Sequence, residues 1–281
     1  EDLKAEWLPV LGQGEKLCCF ANTEPDCGSD AAAIKTRAIR DGVSYILSGE
    51  KTSISLAMQA DCALVTAKTN PEAGARGISC FIVPLDVPGV TRSRYQDMGC
   101  HPLGRGSITL DEVRIPARYL IGEEGKGFYN IMSEFNFARP VVALMNVGLA
   151  QASLDDAITY AKQRTAFGQP IGKFEGVSLK LAEDATLIDA ARLLCYRALW
   201  LREQSLPNTK EAAMCKWFAA EASVRVIHDA LLIFGHIGYS DEYPIEQRLR
   251  DAIGMEIGDG TAEIMKLIIV REILGKEFLP Y

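Results

Sequence analysis

One carboxylate stands out in this sequence because of its neighbours. Asp259 lies between Gly258 and Gly260, directly before a segment, 261–276, whose apolar residues recur at helical spacing. Glycine-flanked backbone lets a ligand approach closely, and a carboxylate within reach of a ligand can accept a proton from it. The alternative interpretation is that Asp259 only caps the following helix.

A second unusual stretch covers residues 21–30, with the sequence A-N-T-E-P-D-C-G-S-D. Its closely spaced hydroxyls and exposed backbone N–H groups suit a cradle for a flavin and its phosphates. Glu-Pro and Gly-Ser-Asp are also common turn material, so an ordinary polar loop is the alternative.

The elements that must position these two stretches differ in type. From 18 to about 118 the chain is rich in Val, Ile and Thr and is divided by turn dipeptides such as Asp41-Gly42, which predicts an antiparallel β-sheet or small barrel. Beyond Gly127 the period is helical, with long helices predicted at 127–164, 175–204 and 209–235 and shorter ones at 244–255 and 261–276. The fold class is therefore α+β, a β domain (18–122) followed by an all-α up-down bundle (123–281). Residues 1–17 would be the end of an N-terminal helical domain, so the chain is expected to be a fragment.

Composition excludes several classes of protein. The net charge of -7 argues against nucleic acid as a partner. No signal-peptide pattern is found, and no membrane span is predicted, so a cytoplasmic protein is expected. The eight cysteines are scattered without a C-x-x-C pair, and the three histidines lack ligand spacing, so we predict reduced thiols and no metal site.

Together the two stretches and three shorter segments resemble the acyl-CoA dehydrogenases. T-E-P-D-C-G-S-D at 23–30 matches the T-E-P-x-x-G-S-D motif of that family, and R-D-A-I-G-M-E-I-G-D-G-T at 250–261 is similar to its C-terminal signature, with Asp259 at the position of the catalytic glutamate. G-E-K at 49–51, R-T-A-F-G at 164–168 and G-H-I-G-Y-S-D-E-Y-P at 235–244 match further family segments. The resemblance covers nearly the whole chain.

The resemblance implies FAD bound between the β domain and the bundle. It places Thr23 on the pyrimidine side of the flavin and Ser55 near its N5, with the loops at Arg164 and Gly235 reaching the flavin of a neighbouring subunit. The implied cofactor-binding residues are Phe20, Ala21, Asn22, Thr23, Gly28, Ser29, Ser53, Ile54, Ser55, Arg164, Phe167, Glu175, Leu232, Gly235, His236, Thr261 and Glu263. The implied substrate-binding residues are Ser29, Asn136, Arg139 and Gly260. For Arg139, a role as the buried partner of a carboxylate is an equal alternative.

The resemblance also implies the reaction and the partners. Asp259 would remove the α proton of an acyl-CoA thioester while the β hydrogen leaves as hydride to the flavin, giving a 2-enoyl-CoA. An electron-transferring flavoprotein would accept the electrons, and the shared flavin site implies a homo-oligomer, either a dimer or a tetramer.

The sequence departs from the family pattern around the reacting carbons. Aspartate replaces glutamate at the base, and Ser53 and Gly258 stand where bulky aromatic residues are common. Ala138 occupies the position at which some relatives carry the base instead. These small residues predict a bulky acyl group, branched or cyclic, of the cyclohexanecarboxyl-CoA type. Leu232 and Glu175 stand where glutamines are frequent.

Two alternatives remain open: a base supplied elsewhere with elimination at other ring carbons, and a non-catalytic flavin- or acyl-CoA-binding subunit.

Overall fold

The computed structural model describes residues 2–279. The chain divides into two compact units, Glu1–Ser133 and Glu134–Tyr281. The first unit is mostly strand and the second is mostly helix, which confirms the α+β prediction. The predicted domain limits at 17/18 and 122/123 stay predictions.

The first unit contains a short helix followed by eight strands. Its elements are α1 (Asp2–Gly12), β1 (Cys18–Ala21), β2 (Arg37–Asp41), β3 (Ser44–Ile54), β4 (Cys62–Lys68), β5 (Ile78–Pro84), β6 (Val90–Arg94), β7 (Gly106–Pro116) and β8 (Leu120–Ile121). The hairpin predicted at Asp41-Gly42 is present and joins β2 to β3. Gly42 has a positive φ of 59°, the conformation that a tight turn needs.

The strands form one mixed sheet. Its order is β6-β7-β3-β2-β4-β5-β8, with β1 paired to β4 outside this path. The prediction of a purely antiparallel sheet is wrong at two pairings, since β1 and β2 both run parallel to β4. β1 pairs with the first half of β4 and β2 meets it only at Lys68, so the chain leaves the sheet after Ala21 and rejoins it at Arg37. The polar loop at 22–36 is that excursion.

The central strands of this sheet carry the core of the unit. β4 and β5 are buried along most of their length, which explains their continuous apolar sequences. β3 alternates instead, with Tyr45 and Leu47 inside. Trp7 of α1 packs into the same core, so this helix is part of the β unit.

The second unit is a helical bundle. Its elements are α2 (Gly127–Gln163, which begins in the first unit), the short strands β9 (Thr165–Ala166) and β10 (Gln169–Pro170), and the helices α3 (Glu175–Glu203), α4 (Thr209–Phe234), α5 (Ile245–Ile257) and α6 (Ala262–Leu274). The five predicted helices are confirmed, and no end differs by more than two residues. The bundle core is rich in alanine, including Ala150, Ala191 and Ala219, which lets helix backbones approach closely.

One helix in the described part of the chain, α2, is long and apolar enough to cross a membrane by length and composition. This is weak support for a membrane span, because the core helices of globular proteins pass the same test. α2 also contributes Ala150 and Leu154 to the bundle core.

A buried acidic pair between α3 and α4 makes the stability of the bundle depend on pH. Asp184 is 1% exposed, and its Oδ1 has no hydrogen-bond partner among the described residues. Burial, and next the negative charge of Asp229, raise the pKa of Asp184 to about 7. The folded state therefore holds a proton that the unfolded chain releases near pH 3.8, so this group lowers stability as pH rises from about 4 to about 7.

Asp184→Asn should remove this loss of stability. We expect the variant to melt at least about 3 °C above the parent protein at pH 8, since each kcal/mol moves the melting temperature of such a domain by about 2–4 °C. The difference should shrink toward pH 4. The measurement is thermal unfolding of the FAD-loaded protein across this pH range. Asp189→Asn, at an exposed position of the same helix, is the control. Parallel pH profiles for Asp184→Asn and the parent would contradict the assignment.

Candidate functional site

Asp259 lies in the connection between α5 and α6, and it is not a helix cap. α5 ends at Ile257, and Thr261 is the N-cap of α6, where its hydroxyl accepts a hydrogen bond from the N–H of Ile264. Capping by Asp259 is therefore excluded. Asp259 itself has a φ of 56°, in the left-handed region that few non-glycine residues adopt. The carboxylate is thus held on a strained turn, a feature common at functional sites.

Two buried cations hold the backbone of this connection, which we call the Asp259 loop (residues 258–261). Arg139 Nε donates to the carbonyl oxygen of Asp259 at 3.2 Å. Lys216 Nζ donates to the carbonyl oxygens of Gly260 at 2.8 Å and Met255 at 2.5 Å. Arg139 therefore contacts the backbone of the loop, and its predicted contact with substrate stays a prediction.

The surroundings suit Asp259 to proton transfer. Burial raises the pKa of Asp259 above its usual value, while the positive charges of Lys216 and Arg139 act in the opposite direction. A partly buried carboxylate between two cations can be ionised in the resting protein and still be basic enough to accept a proton. Gly260 has a φ of 108°, and a Cβ there would lie 2.4 Å from Met265 Cε, so this glycine is required by the turn.

In the β unit, the loop at 22–30 is organised by a buried ion pair. Lys51 is 0% exposed, and its Nζ donates to Glu24 Oε1 at 2.8 Å and to the carbonyl oxygen of Asn22 at 3.1 Å. Glu24 also accepts hydrogen bonds from the backbone N–H groups of Lys35 and Thr36. The Glu24 carboxylate thus connects the start of the polar loop at 22–36 to its end, and Lys51 connects this carboxylate to β3.

The segment at 49–51 has a steric reason for its glycine. A Cβ at Gly49 would lie 2.3 Å from Thr36 Oγ1 and 2.7 Å from Thr36 Cα. Glycine therefore lets β3 run against the end of the loop, and Lys51 two residues later reaches Glu24.

The end of β3 exposes two hydroxyls. Its pairing with β7 shifts register between Lys51 and Ile54, and Ser53 within this bulge has a φ of 57°. Ser53 and Ser55 are exposed while Ile54 is buried. The N–H of Thr52 donates to the carbonyl oxygen of Thr23 at 2.9 Å, so this strand end lies against the loop at 22–30.

The groups that these two segments present fit a flavin nucleotide. Exposed hydroxyls are available at Ser29, Ser53 and Ser55, with Thr23 half-buried beside them, and the Phe20 ring is 36% exposed. Hydroxyls and backbone N–H groups can donate to the oxygen and nitrogen atoms of a flavin ring and to phosphates, and an aromatic face can pack against the ring. Of the other predicted residues, Gly28 is exposed, whereas Ala21 and Asn22 are buried.

Some of the predicted cofactor-binding residues of the bundle line one of two cavities. Phe167, 96% exposed, and Leu232 line one apolar cavity of about 360 Å³. Arg164, Glu175, Gly235 and His236 are exposed but are not among its lining residues. Thr261 and Glu263 line a second cavity of about 300 Å³, together with Lys216 and Glu256. The part of each predicted residue in flavin binding stays a prediction.

The predicted substrate residues also differ in setting. Ser29 is exposed in the β unit, whereas Asn136 Nδ2 donates to Thr209 Oγ1 at 2.9 Å and its backbone carbonyl accepts from Asn208. The Asn136 side chain therefore connects α2 to the start of α4. Its predicted contact with substrate is not tested by these bonds.

Sequence reasoning missed two residues that organise the site. Glu24 belongs to the recognised motif but was not expected to be a buried anchor. Lys216 was not recognised at all, although a signal was present: it is a lone charge among Ala212, Ala213, Cys215 and Ala219, on the apolar face of a predicted helix. Lysine on such a face is almost never fully buried unless its charge is paired.

Comparison with known proteins identifies the family of this chain. Residues 19–113 match "Acyl-CoA dehydrogenase, middle domain", and residues 125–274 match "Acyl-CoA dehydrogenase, C-terminal domain". The chain is 43% identical to the probable acyl-CoA dehydrogenase YngJ of Bacillus subtilis, covering 98% of this chain and 73% of that protein. It is 40% identical to the mitochondrial short-chain specific acyl-CoA dehydrogenase of Bos taurus, and the match covers 98% of this chain and 67% of that protein. The structure of butyryl-CoA dehydrogenase from Megasphaera elsdenii superposes with a TM-score of 0.94 at 37% identity, covering 96% and 71%.

The fold and the two family matches define a flavoprotein oxidoreductase. More specifically, the chain belongs to the acyl-CoA dehydrogenase family, whose members are FAD-dependent enzymes that oxidise acyl-CoA thioesters. FAD is its cofactor and acyl-CoA its class of substrate.

Proposed function

We propose that Asp259 is the general base of this dehydrogenase. The observation that carries the proposal is the Asp259 loop itself, a glycine-flanked carboxylate on a left-handed turn held by two buried cations. A family glutamate would reach about 1.5 Å further, one carbon–carbon bond. The bonds from Arg139 and Lys216 hold the backbone from which this shorter side chain extends.

Different residues of the chain would then remove the proton, stabilise the thioester carbonyl and hold the flavin. Bound FAD supplies a hydride acceptor for the β hydrogen. The Asp259 carboxylate takes the α proton, and the Asp259 backbone N–H donates to the thioester carbonyl oxygen as negative charge develops there. The hydroxyls of Thr23, Ser53 and Ser55 would hold the flavin ring, and Ser29 would lie toward phosphate and substrate.

We propose a bulky α-branched or cyclic acyl group as the substrate. Gly258 has an ordinary φ of −61°, and a Cβ there would contact only the Gly254 carbonyl oxygen, at 3.5 Å. Glycine is therefore not required by the backbone at this position, and its lack of a side chain leaves space next to Asp259. Ser53 and Ala138 are small in the same way. The named relatives support a second candidate, a short straight acyl chain, since they include short-chain and butyryl-CoA dehydrogenases.

An anaerobic titration separates these two candidates. FAD-loaded protein is mixed with linear, branched and cyclic acyl-CoA thioesters, and loss of the oxidised-flavin absorbance is followed. We expect the cyclic or α-branched thioesters to reduce the flavin fastest at equal concentration. Faster reduction by butyryl-CoA would reject the bulky acyl group and support the short chain.

Filling the space at Gly258 tests the same proposal from the protein side. Gly258→Tyr should lower kcat/KM for cyclic thioesters by at least about 10-fold, the effect expected when more than one methylene of a pocket is lost. Linear thioesters should be less affected. The matched control is Gly254→Ala, where a Cβ meets nothing within 4 Å. An equal loss for linear and cyclic substrates would show that Gly258 does not select the acyl group.

Two partners complete the proposal. We propose an electron-transferring flavoprotein as the electron acceptor and a homo-oligomer, dimer or tetramer, as the assembled enzyme. Both follow from membership of the family, and the exposed Phe167 and Leu232 at one cavity suit a surface that another subunit covers. Light scattering of the FAD-loaded protein tests the assembly. Cytoplasmic location stays a prediction.

A further inference from the structure

Lys216 is a buried cation that the dehydrogenation chemistry does not use directly. It lies in α4, is 1% exposed, and is surrounded along the helix by alanines and a cysteine. A lysine in such a position is costly unless its charge is compensated, because an ammonium group loses its hydration on burial. Its compensation comes from the Asp259 loop.

The Lys216 ammonium bonds to the backbone on both sides of Asp259. It donates to the carbonyl oxygen of Met255, in the last turn of α5, and to that of Gly260, directly after Asp259. The segment between these two oxygens contains the left-handed turn at Asp259. Since strained backbone conformations persist only where the surroundings fix them, the two bonds stabilise the turn.

The charges around Lys216 come from the Asp259 loop and from four helices. Asp259 in the loop and Glu256 on α5 attract its positive charge, while Arg139 on α2 repels it. Glu221, one helical turn along α4, lines the same cavity, as does Glu263 on α6. Burial, opposed chiefly by Asp259, lowers the pKa of Lys216 to about 8. Two positive charges act to lower the pKa of Asp259, and that of Lys216 has a larger effect than that of Arg139.

We propose that Lys216 is a positioning residue that fixes the conformation of the Asp259 loop and supplies the main compensating positive charge to its carboxylate. The inference rests on the proposed role of Asp259 as the base. It adds a control of that base from a residue that acts through the backbone of the loop.

The first expected effect concerns protonation. Lys216→Gln keeps a hydrogen-bond donor but removes the charge, so the pKa of Asp259 should rise by about one unit or more. Lys216→Arg keeps the charge and should leave the pKa near that of the parent. The control Lys210→Met lies on the same helix at a partly exposed position and should change nothing. The probe is the carboxyl ¹³C resonance of Asp259 in aspartate-labelled holoenzyme, assigned by its absence in Asp259→Asn.

The second expected effect concerns the reaction. In Lys216→Gln the rate of flavin reduction should fall by about 10²-fold, as expected when a reacting group is misplaced by about 1 Å. KM for the thioester should change little, and the acid limb of the pH–rate profile should move to higher pH. A residue with only a structural role would lower the stability without moving this limb.

Wild-type protein gives a measurement that needs no variant. The Asp259 resonance should show a second inflection near pH 8, when Lys216 releases its proton. A missing inflection, or an unchanged Asp259 pKa in folded Lys216→Gln, would overturn the proposal. Failure of the proposed function has a different signature, because Asp259→Asn would then keep its rate of flavin reduction whatever the resonance shows.

Discussion

Replacing Asp259 with asparagine should lower the rate of flavin reduction by acyl-CoA by about 10²–10⁴-fold, the usual contribution of a general base. The amide has nearly the same shape but accepts no proton, and the bonds from Arg139 and Lys216 go to backbone oxygens that the variant retains. FAD content and thioester affinity should therefore remain near those of the parent. The measurement is anaerobic stopped-flow absorbance with a saturating thioester.

Two further variants sharpen this result. Asp259→Glu restores a carboxylate, so it should reduce flavin faster than the asparagine variant, and its longer side chain should change the order of preference among acyl groups. Glu272→Gln removes an exposed carboxylate from α6 and should have no effect. If Asp259→Asn reduced flavin as fast as the parent protein, the base would have to be another residue, as in the alternative with elimination at other ring carbons.

The pH dependence has a definite sign. A base acts only when deprotonated, and burial raises the pKa of Asp259. The rate should therefore fall as pH decreases, beginning at a pH above the ordinary aspartate value of about 3.9. This acid limb should disappear in Asp259→Asn.

Lys51→Met should have the largest effect on stability. It leaves the Glu24 carboxylate buried without its cation, which typically costs about 3–5 kcal/mol. Because Lys51 also holds the carbonyl of Asn22, the loop at 22–30 should lose its fixed shape and the protein should retain less FAD. The measurements are denaturant unfolding and the flavin-to-protein absorbance ratio.

The same loop offers a matched control. Lys35 pairs with Asp26 at 2.6 Å, but both side chains are more than 70% exposed, so Lys35→Met should change the stability far less than Lys51→Met does. The double variant Lys51→Met with Glu24→Gln removes both charges and should be more stable than Lys51→Met alone. Equal losses for the Lys51 and Lys35 variants would show that the buried pair does not organise the loop.

Acid should weaken this pair in a predictable direction. Burial acts to raise the pKa of Glu24, but the charge and hydrogen bond of Lys51 outweigh it and hold the pKa below its usual value of 4.5. A lowered carboxylate pKa stabilises the fold above the unfolded value, and this contribution is lost as pH falls through the folded value. The pair therefore contributes its stability above about pH 4.5.

The sequence by itself determined the features that depend on local order. Residue spacing predicts the five helices and the change from β to α structure, and turn chemistry predicts the Asp41-Gly42 hairpin. Both depend on residues that are close together in the chain. The two motifs also identified Asp259 and the loop at 22–30 as the places where chemistry is expected. Each motif is a contiguous stretch of the sequence, so it can be identified without the tertiary structure.

Only the tertiary structure decided which distant groups meet. The parallel pairing of β1 and β2 with β4 depends on a strand that follows both in the chain, and sequence alternation is the same for either strand direction. The contacts of Glu24 with Lys51 and of Lys216 with Gly260 join residues 27 and 44 positions apart. Thr261, rather than Asp259, became the cap because Asp259 took the left-handed turn that the two buried cations hold. Burial of a charge is a property of the packed fold, and so the partners of Glu24 and Lys216 could be identified only in the tertiary structure.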